Sequence, residues 1–216
     1  METGGESPAF VDVTGDGKPE IMCIAAGALG YGGPNWSNPY QAWAFHRVTP
    51  LYGGGIRDKY THGMGVGDVN QDGKQDILAR DGWWEQKTGD WQFHPVRLAE
   101  EEGGAHMYAY DVDGDGDMDV ISSLQAHHGW GLSWFENRGN DDFREHTILE
   151  KTNVKNADGI QISQIHAIEF VDINRDGLKD IVTGTRILTH GADPYAEGQL
   201  YWFELSRSNG QVSNDQ

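Results

Sequence analysis

Cysteine, proline and basic side chains are scarce in this chain: one, seven and sixteen among 216 residues. A lone cysteine cannot form an intramolecular disulfide, so no covalent framework holds the fold. Cys23 lies in the apolar run "PEIMCIAAG" and reads as a small buried hydrophobe. Sixteen Lys and Arg against 34 Asp and Glu leave a formal charge of −18. Clustered cations are needed to hold phosphates, so nucleic acid is excluded as a partner. No run approaches the ~18 apolar residues of a membrane helix. The opening "METGGESPAF" has neither a basic nor an apolar signal-peptide region. Nothing resembles a nucleophile elbow or a phosphate loop, and no stretch keeps a 3.6-residue apolar period.

What the chain does have is a repeat. "DVTGDGKPEI" from Asp12, "DVNQDGKQDI" from Asp68, "DVDGDGDMDV" from Asp111 and "DINRDGLKDI" from Asp172 share the pattern D-x-[TND]-x-D-G-x-x-[DE]-[IV]. Short alternating segments precede three of them ("THGMGVG", "AHMYAY", "IHAIEFV"), and their period of two marks half-buried strands. Apolar runs follow, then "GWWEQ", "LSWFEN" and "LYWFEL", and in the first three units a fourth segment, "WAFHRV", "WQFHPV" or "FREHTI". Strand, acidic turn, strand, turn, strand, loop, strand is the order of a four-stranded β-propeller blade. The expected fold is therefore an all-β propeller in one domain, with blades at 8–50, 61–98, 105–150 and 164–216. The last blade is incomplete, because "SRSNGQVSNDQ" offers no fourth strand. Two closures stay open: a four-bladed ring, or part of a larger propeller whose exposed edges favour self-association.

The acidic turns have the ligand spacing of a cation loop. Side chains at positions 1, 3 and 5 can turn onto one point, glycine at 6 permits the turn, position 7 offers its backbone carbonyl, and position 9 adds a carboxylate. The set is Asp12, Thr14, Asp16, Lys18 and Glu20; Asp68, Asn70, Asp72, Lys74 and Asp76; Asp111, Asp113, Asp115, Asp117 and Asp119; Asp172, Asn174, Asp176, Leu178 and Asp180. Hard oxygens in this number suit Ca²⁺, up to four ions. An EF-hand is excluded: position 12 is Cys23, Ala79, Ser122 or Thr183 rather than glutamate, and strands flank the loop. The alternative is a metal-free acidic hairpin turn.

With these loops and flanking strands, the chain resembles the VCBS or FG-GAP-like repeats of secreted bacterial propellers, and its loops are similar to those of the integrin α-subunit propeller. The resemblance covers nearly the whole chain. It implies Ca²⁺ ligation through the loop residues just named, about seven blades in the parent ring, and a secreted, periplasmic or cell-surface location. The Phe-Gly and Gly-Ala-Pro elements that name the integrin repeat are absent, so an adhesion role does not transfer.

The histidines form two sets. His46, His94 and His146 recur in the fourth strand after an aromatic, as a repeat-wide packing or hydrogen-bonding device does. His62, His106 and His166 open the innermost strands, where three imidazoles could hold Zn²⁺ or another transition metal, or act as acid and base. His62 and His166 stand six residues before the first loop aspartate but His106 five, which turns it to the opposite face unless a bulge at Gly103 and Gly104 intervenes. Arg80, His127, Arg186 and His190 follow second strands, and Tyr108 lies on an inner one. A His, Tyr and Arg constellation is similar to the equipment of some polysaccharide lyases. The leading expectation is a calcium-stabilised binding module for carbohydrate or protein. The others are a lyase or metal-dependent hydrolase using these residues, and a structural spacer.

Overall fold

The computed structural model describes residues 3–50, 61–100, 103–126, 129–185, 198–208 and 211–213. Among them there is no helix, and so none long and apolar enough to cross a membrane. Strands carry the architecture, and they come in the expected sequence.

The first unit is a meander of β1 (Gly4–Val11), β2 (Glu20–Ala25), β3 (Ala28–Gly33) and β4 (Ala44–Arg47). β5 (Met64–Gly67), β6 (Asp76–Ala79), β7 (Gly82–Lys87) and β8 (Asp90–Pro95) make the second. β9 (His106–Tyr110), β10 (Asp119–Ser123), β11 (Leu132–Asn137) and β12 (Phe143–Leu149) make the third. The fourth has three strands, β13 (Ile168–Val171), β14 (Asp180–Gly184) and β15 (Leu200–Phe203), followed by a separate hairpin of β16 (Ser206–Ser208) and β17 (Gln211–Ser213). All neighbours within a unit pair antiparallel, and every acidic turn joins a first strand to a second.

Two boundaries differ from expectation. The first unit begins at Gly4 rather than at residue 8, because "GGESPAFV" pairs with β2 across an irregular register. The second and third units are not separate sheets. β5 and β9 pair in parallel, Met64 with His106 and Gly65 with Met107, which fuses eight strands into one curled sheet. Gly65 makes this possible, since a Cβ there would collide with the Met107 carbonyl.

The core lies between units. Met22, Ile24 and Leu29 of the first pack with Met64 and Ile77 of the second. Leu78 and Trp83 pack with Met107, Val120 and Phe135 of the third, whose Ile121 and Trp134 pack with Ile168 and Ile181 of the fourth. The second strands of the two middle units, β6 and β10, are thus pressed from both faces and buried along their whole length. Burial of one such aliphatic side chain contributes about 1.5–3 kcal/mol, so each unit is stable chiefly through its neighbours. The last sheet keeps Val171, Leu200 and Trp202 exposed.

Candidate functional sites

In the acidic turns, glycine at position 6 takes a left-handed φ of 83°, 87°, 101° and 94° at Gly17, Gly73, Gly116 and Gly177. The position-7 amide donates to the position-5 carboxylate in all four: Lys18 to Asp16, Lys74 to Asp72, Asp117 to Asp115, Leu178 to Asp176, at 2.8–2.9 Å. The position-1 carboxylate accepts from the amides that follow, as Asp12 does from Gly15 and Gly17. The turn is therefore shaped by its own hydrogen bonds.

Convergence of oxygens differs between the loops. Asp12, Asp16 and Glu20, and again Asp111, Asp113 and Asp115, each bring carboxylate oxygens within 4.8 Å of one another. These two loops fit a hard cation. In the second loop Asn70 turns its Oδ1 to the Asp72 amide and its Nδ2 to Glu85, and Lys74 lies 3.1 Å from Asp72. In the fourth, Asn174 donates to Asp176 and Glu204. The third loop has a cation at its edge: the Arg207 guanidinium donates to the carbonyls of Asp111 and Val112 and lies over the Tyr110 ring.

Position 9 has a second task. Asp119 is fully buried; its Oδ2 accepts from the Val112 amide at 2.8 Å and its Oδ1 from the Asn137 amide at 2.8 Å. Asp76 does the same for Val69 and Gln86, and Asp180 for Ile173 and Leu205. Glu20, one methylene longer, reaches Val13 and Thr14. The carboxylate ties the turn to the unit's own sheet. Burial pushes Asp119 up to about 7 and Asp76 up to about 6, against the pull of the amides they hold.

The fourth-strand histidines are the packing device that their recurrence predicts. Each faces an aromatic cross-strand partner, His46 on Tyr31, His94 on Trp83 and His146 on Trp134, all stacked. His94 does more. Its Nε2 lies 3.0 Å from Glu85 and its Nδ1 2.8 Å from Asp141, a residue of the third unit. It therefore stands in a cleft of about 390 Å³ between the second and third units. Asn70, Gln71, Asn137 and Asn140 line it, with Trp83 and Phe143 as apolar surface. Trp83, Glu85, His94 and Phe143 lie in segments that recur between units, whereas Asn140 and Asp141 carry no signal in the repeat pattern and meet the others only across a unit boundary.

The inner-strand histidines divide. His62 and His166 meet edge to face, with ring centroids 5.0 Å apart, and His62 Nε2 lies 3.5 Å from a Glu6 carboxylate oxygen. One donor atom from each of Glu6, His62 and His166 lies within 4.8 Å of the others. His106 is not in this group; its Nε2 lies 3.3 Å from the Pro8 carbonyl. The parallel pairing sets His106 level with Met64, two residues beyond His62. Glu6 is the residue that sequence reasoning missed. It stands six residues before Asp12, as His62 does before Asp68 and His166 before Asp172, while Ala105 holds that place before Asp111.

The lyase-like constellation is only partly visible. The Tyr108 hydroxyl donates to the Ile168 carbonyl at 2.6 Å, and burial, with Glu169 nearby, pushes it up to about 12. Arg80 lies beside His62 along a small pocket of about 50 Å³. His127, Arg186 and His190 lie outside the described residues.

No family model matches the chain, and no curated protein matches it. Among solved structures it is similar to an Agrocybe aegerita lectin, whose structure is described as the basis of specific recognition of non-reducing terminal N-acetylglucosamine. The two are 21% identical with a TM-score of 0.46, over 90% of this chain and 51% of the lectin, so this chain spans about half the length of the structure it matches.

Proposed function

We propose that the chain is a calcium-stapled β-repeat module, its units arranged as propeller blades, that binds a neutral hydroxyl-rich ligand of the carbohydrate class. The side-by-side order of β1, β5, β9 and β13 supports the blade arrangement, since these are the first strands of successive units. Ca²⁺ belongs in the first and third turns, where three carboxylates converge, and at the second and fourth with an asparagine as the middle ligand. An ion there would neutralise groups that otherwise repel one another.

The cleft between the second and third units carries the binding reading. Sugar hydroxyls donate and accept at once, so a site for them needs both kinds of partner beside an apolar face. Gln71, Asn137 and Asn140 supply amides that do both, Glu85 and Asp141 supply acceptors, and Phe143 with the stacked His94 supplies the face.

Calorimetric titration of the calcium-loaded protein with a panel of neutral mono- and oligosaccharides tests this. Saturable binding by some member is expected, weakened at least tenfold by Asn140→Ala, which should keep the fold at a cost of about 1 kcal/mol because Asn140 holds a left-handed φ of 54°. Absence of saturable binding across the panel, or binding indifferent to Asn140→Ala, overturns the cleft. An equal melting temperature in EDTA and in millimolar Ca²⁺ overturns the calcium part separately.

A further inference from the structure

We infer that Glu6 of β1, His62 just before β5 and His166 just before β13 form a binding site for a transition metal ion of the Zn²⁺ class. The inference is independent of the cleft and of the acidic turns. It starts from ligand chemistry. Two imidazoles and one carboxylate select a borderline ion such as Zn²⁺ over Ca²⁺, which takes oxygen donors.

Spacing agrees. Two donors about 2.0–2.1 Å from a tetrahedral centre stand about 3.4 Å apart. His62 Nε2 and the Glu6 oxygen are at 3.5 Å, and all three donors lie within 4.8 Å of one another. His166 has at most about 1.4 Å to close before the set reaches tetrahedral spacing.

Tautomer and support agree too. His166 Nδ1 lies 2.9 Å from the Gln164 carbonyl, which only accepts, so Nδ1 carries the proton and Nε2 the lone pair. Outer hydrogen bonds of this kind orient metal-binding histidines. Gln164 adopts a φ of 52° to place that carbonyl, a region that residues other than glycine seldom occupy. The Glu6 amide donates to the Thr61 carbonyl at 2.9 Å, which fixes the carboxylate-bearing strand beside His62. His62 itself is only 2% exposed.

The register gives the site its form. Four units place a residue six positions before the turn, and three of those residues are metal donors. The fourth, Ala105, donates nothing. Among the described residues the site thus has three ligands, the number found where zinc keeps a position for water or substrate.

The test uses the full chain in millimolar Ca²⁺, which saturates the acidic turns, titrated with Co²⁺ as a spectroscopic probe. One equivalent should develop the intense visible bands of four- or five-coordinate Co²⁺, and Zn²⁺ should bleach them. Glu6→Gln, at a carboxylate 43% exposed and so tolerant of change, should weaken Co²⁺ binding more than tenfold, as should His166→Gln. His106→Gln should leave both bands and affinity intact. Only the pale spectrum of six-coordinate Co²⁺, or an equal loss in His106→Gln, overturns the site. Sugar binding in the cleft should survive Glu6→Gln, so the two readings fail separately.

Discussion

His94 lies flat on Trp83, with ring centroids 4.1 Å apart and planes 13° from parallel. The two residues are directly paired across β7 and β8, and the ring's nitrogens meet Glu85 from the same unit and Asp141 from the next. One side chain thus covers an indole and bridges two units. Stacked pairs contribute about 0.5–1.5 kcal/mol beyond buried area. His94→Ala should lower unfolding stability by about 1–2 kcal/mol, whereas His94→Phe should retain the stacking part and lose only the bridge. Urea titrations of the two variants make the comparison, and equal losses would contradict it.

Asp119 should be harder to replace than any exposed loop aspartate. In Asp119→Asn a single oxygen faces two buried amides, Val112 and Asn137, and the new NH₂ group opposes one of them. The expected loss is about 1–3 kcal/mol. Asp117→Asn, on an exposed side chain outside these bonds, should cost under about 0.5 kcal/mol. The urea midpoints of the two proteins check this.

The same buried carboxyls set a pH dependence in metal-free protein. Asp119 is raised to about 7 and Asp76 to about 6 from an ordinary 3.8. Between those limits the folded state holds protons that the unfolded chain has released, so stability falls as pH rises. With EDTA present, the melting temperature should therefore be higher at pH 5 than at pH 8. Saturating Ca²⁺ should flatten the trend, because it favours the ionised form of the surrounding carboxylates. A melting temperature in EDTA that rises from pH 5 to pH 8 would count against the raised values.

Gly65→Ala tests the parallel joint. The added methyl meets the Met107 carbonyl, so β5 and β9 must separate or the chain must shift. Loss of more than about 3 kcal/mol, or failure to fold, is expected. Gly139→Ala is the control for substitution at a glycine: nothing lies within 4 Å of its added Cβ, and only its φ of 78° resists. Its cost should be about 1 kcal/mol. Thermal melts distinguish the two.

Much of this was legible in the residues. The aspartate pattern located every first hairpin, and the recurring aromatic pair and histidine located the third and fourth strands of the second and third units, because each signal lies within one unit; in the first unit β3 is the glycine-rich "ALGYGG", which reads as loop. What escaped lies between units. The parallel pairing of β5 with β9 depends on Gly65, whose significance is a missing side chain. Glu6 was hidden because "GGESPAFV" lacks a histidine and a clean alternation, although counting six residues back from Asp12 reaches it. His106 was misleading for the converse reason: the right residue type stands one position nearer the turn, and its ring meets the Pro8 carbonyl instead of the other two imidazoles.

The cluster of Glu6, His62 and His166 also imposes an order in time. Its members come from the first, second and fourth units, so synthesis delivers the carboxylate early and the last imidazole only after three units have emerged. A nascent chain stalled before the fourth unit would hold two of the donors and not the third. Assembly of that centre is accordingly among the last events of folding, and an ion held there would bind only chains whose first and fourth units have already met.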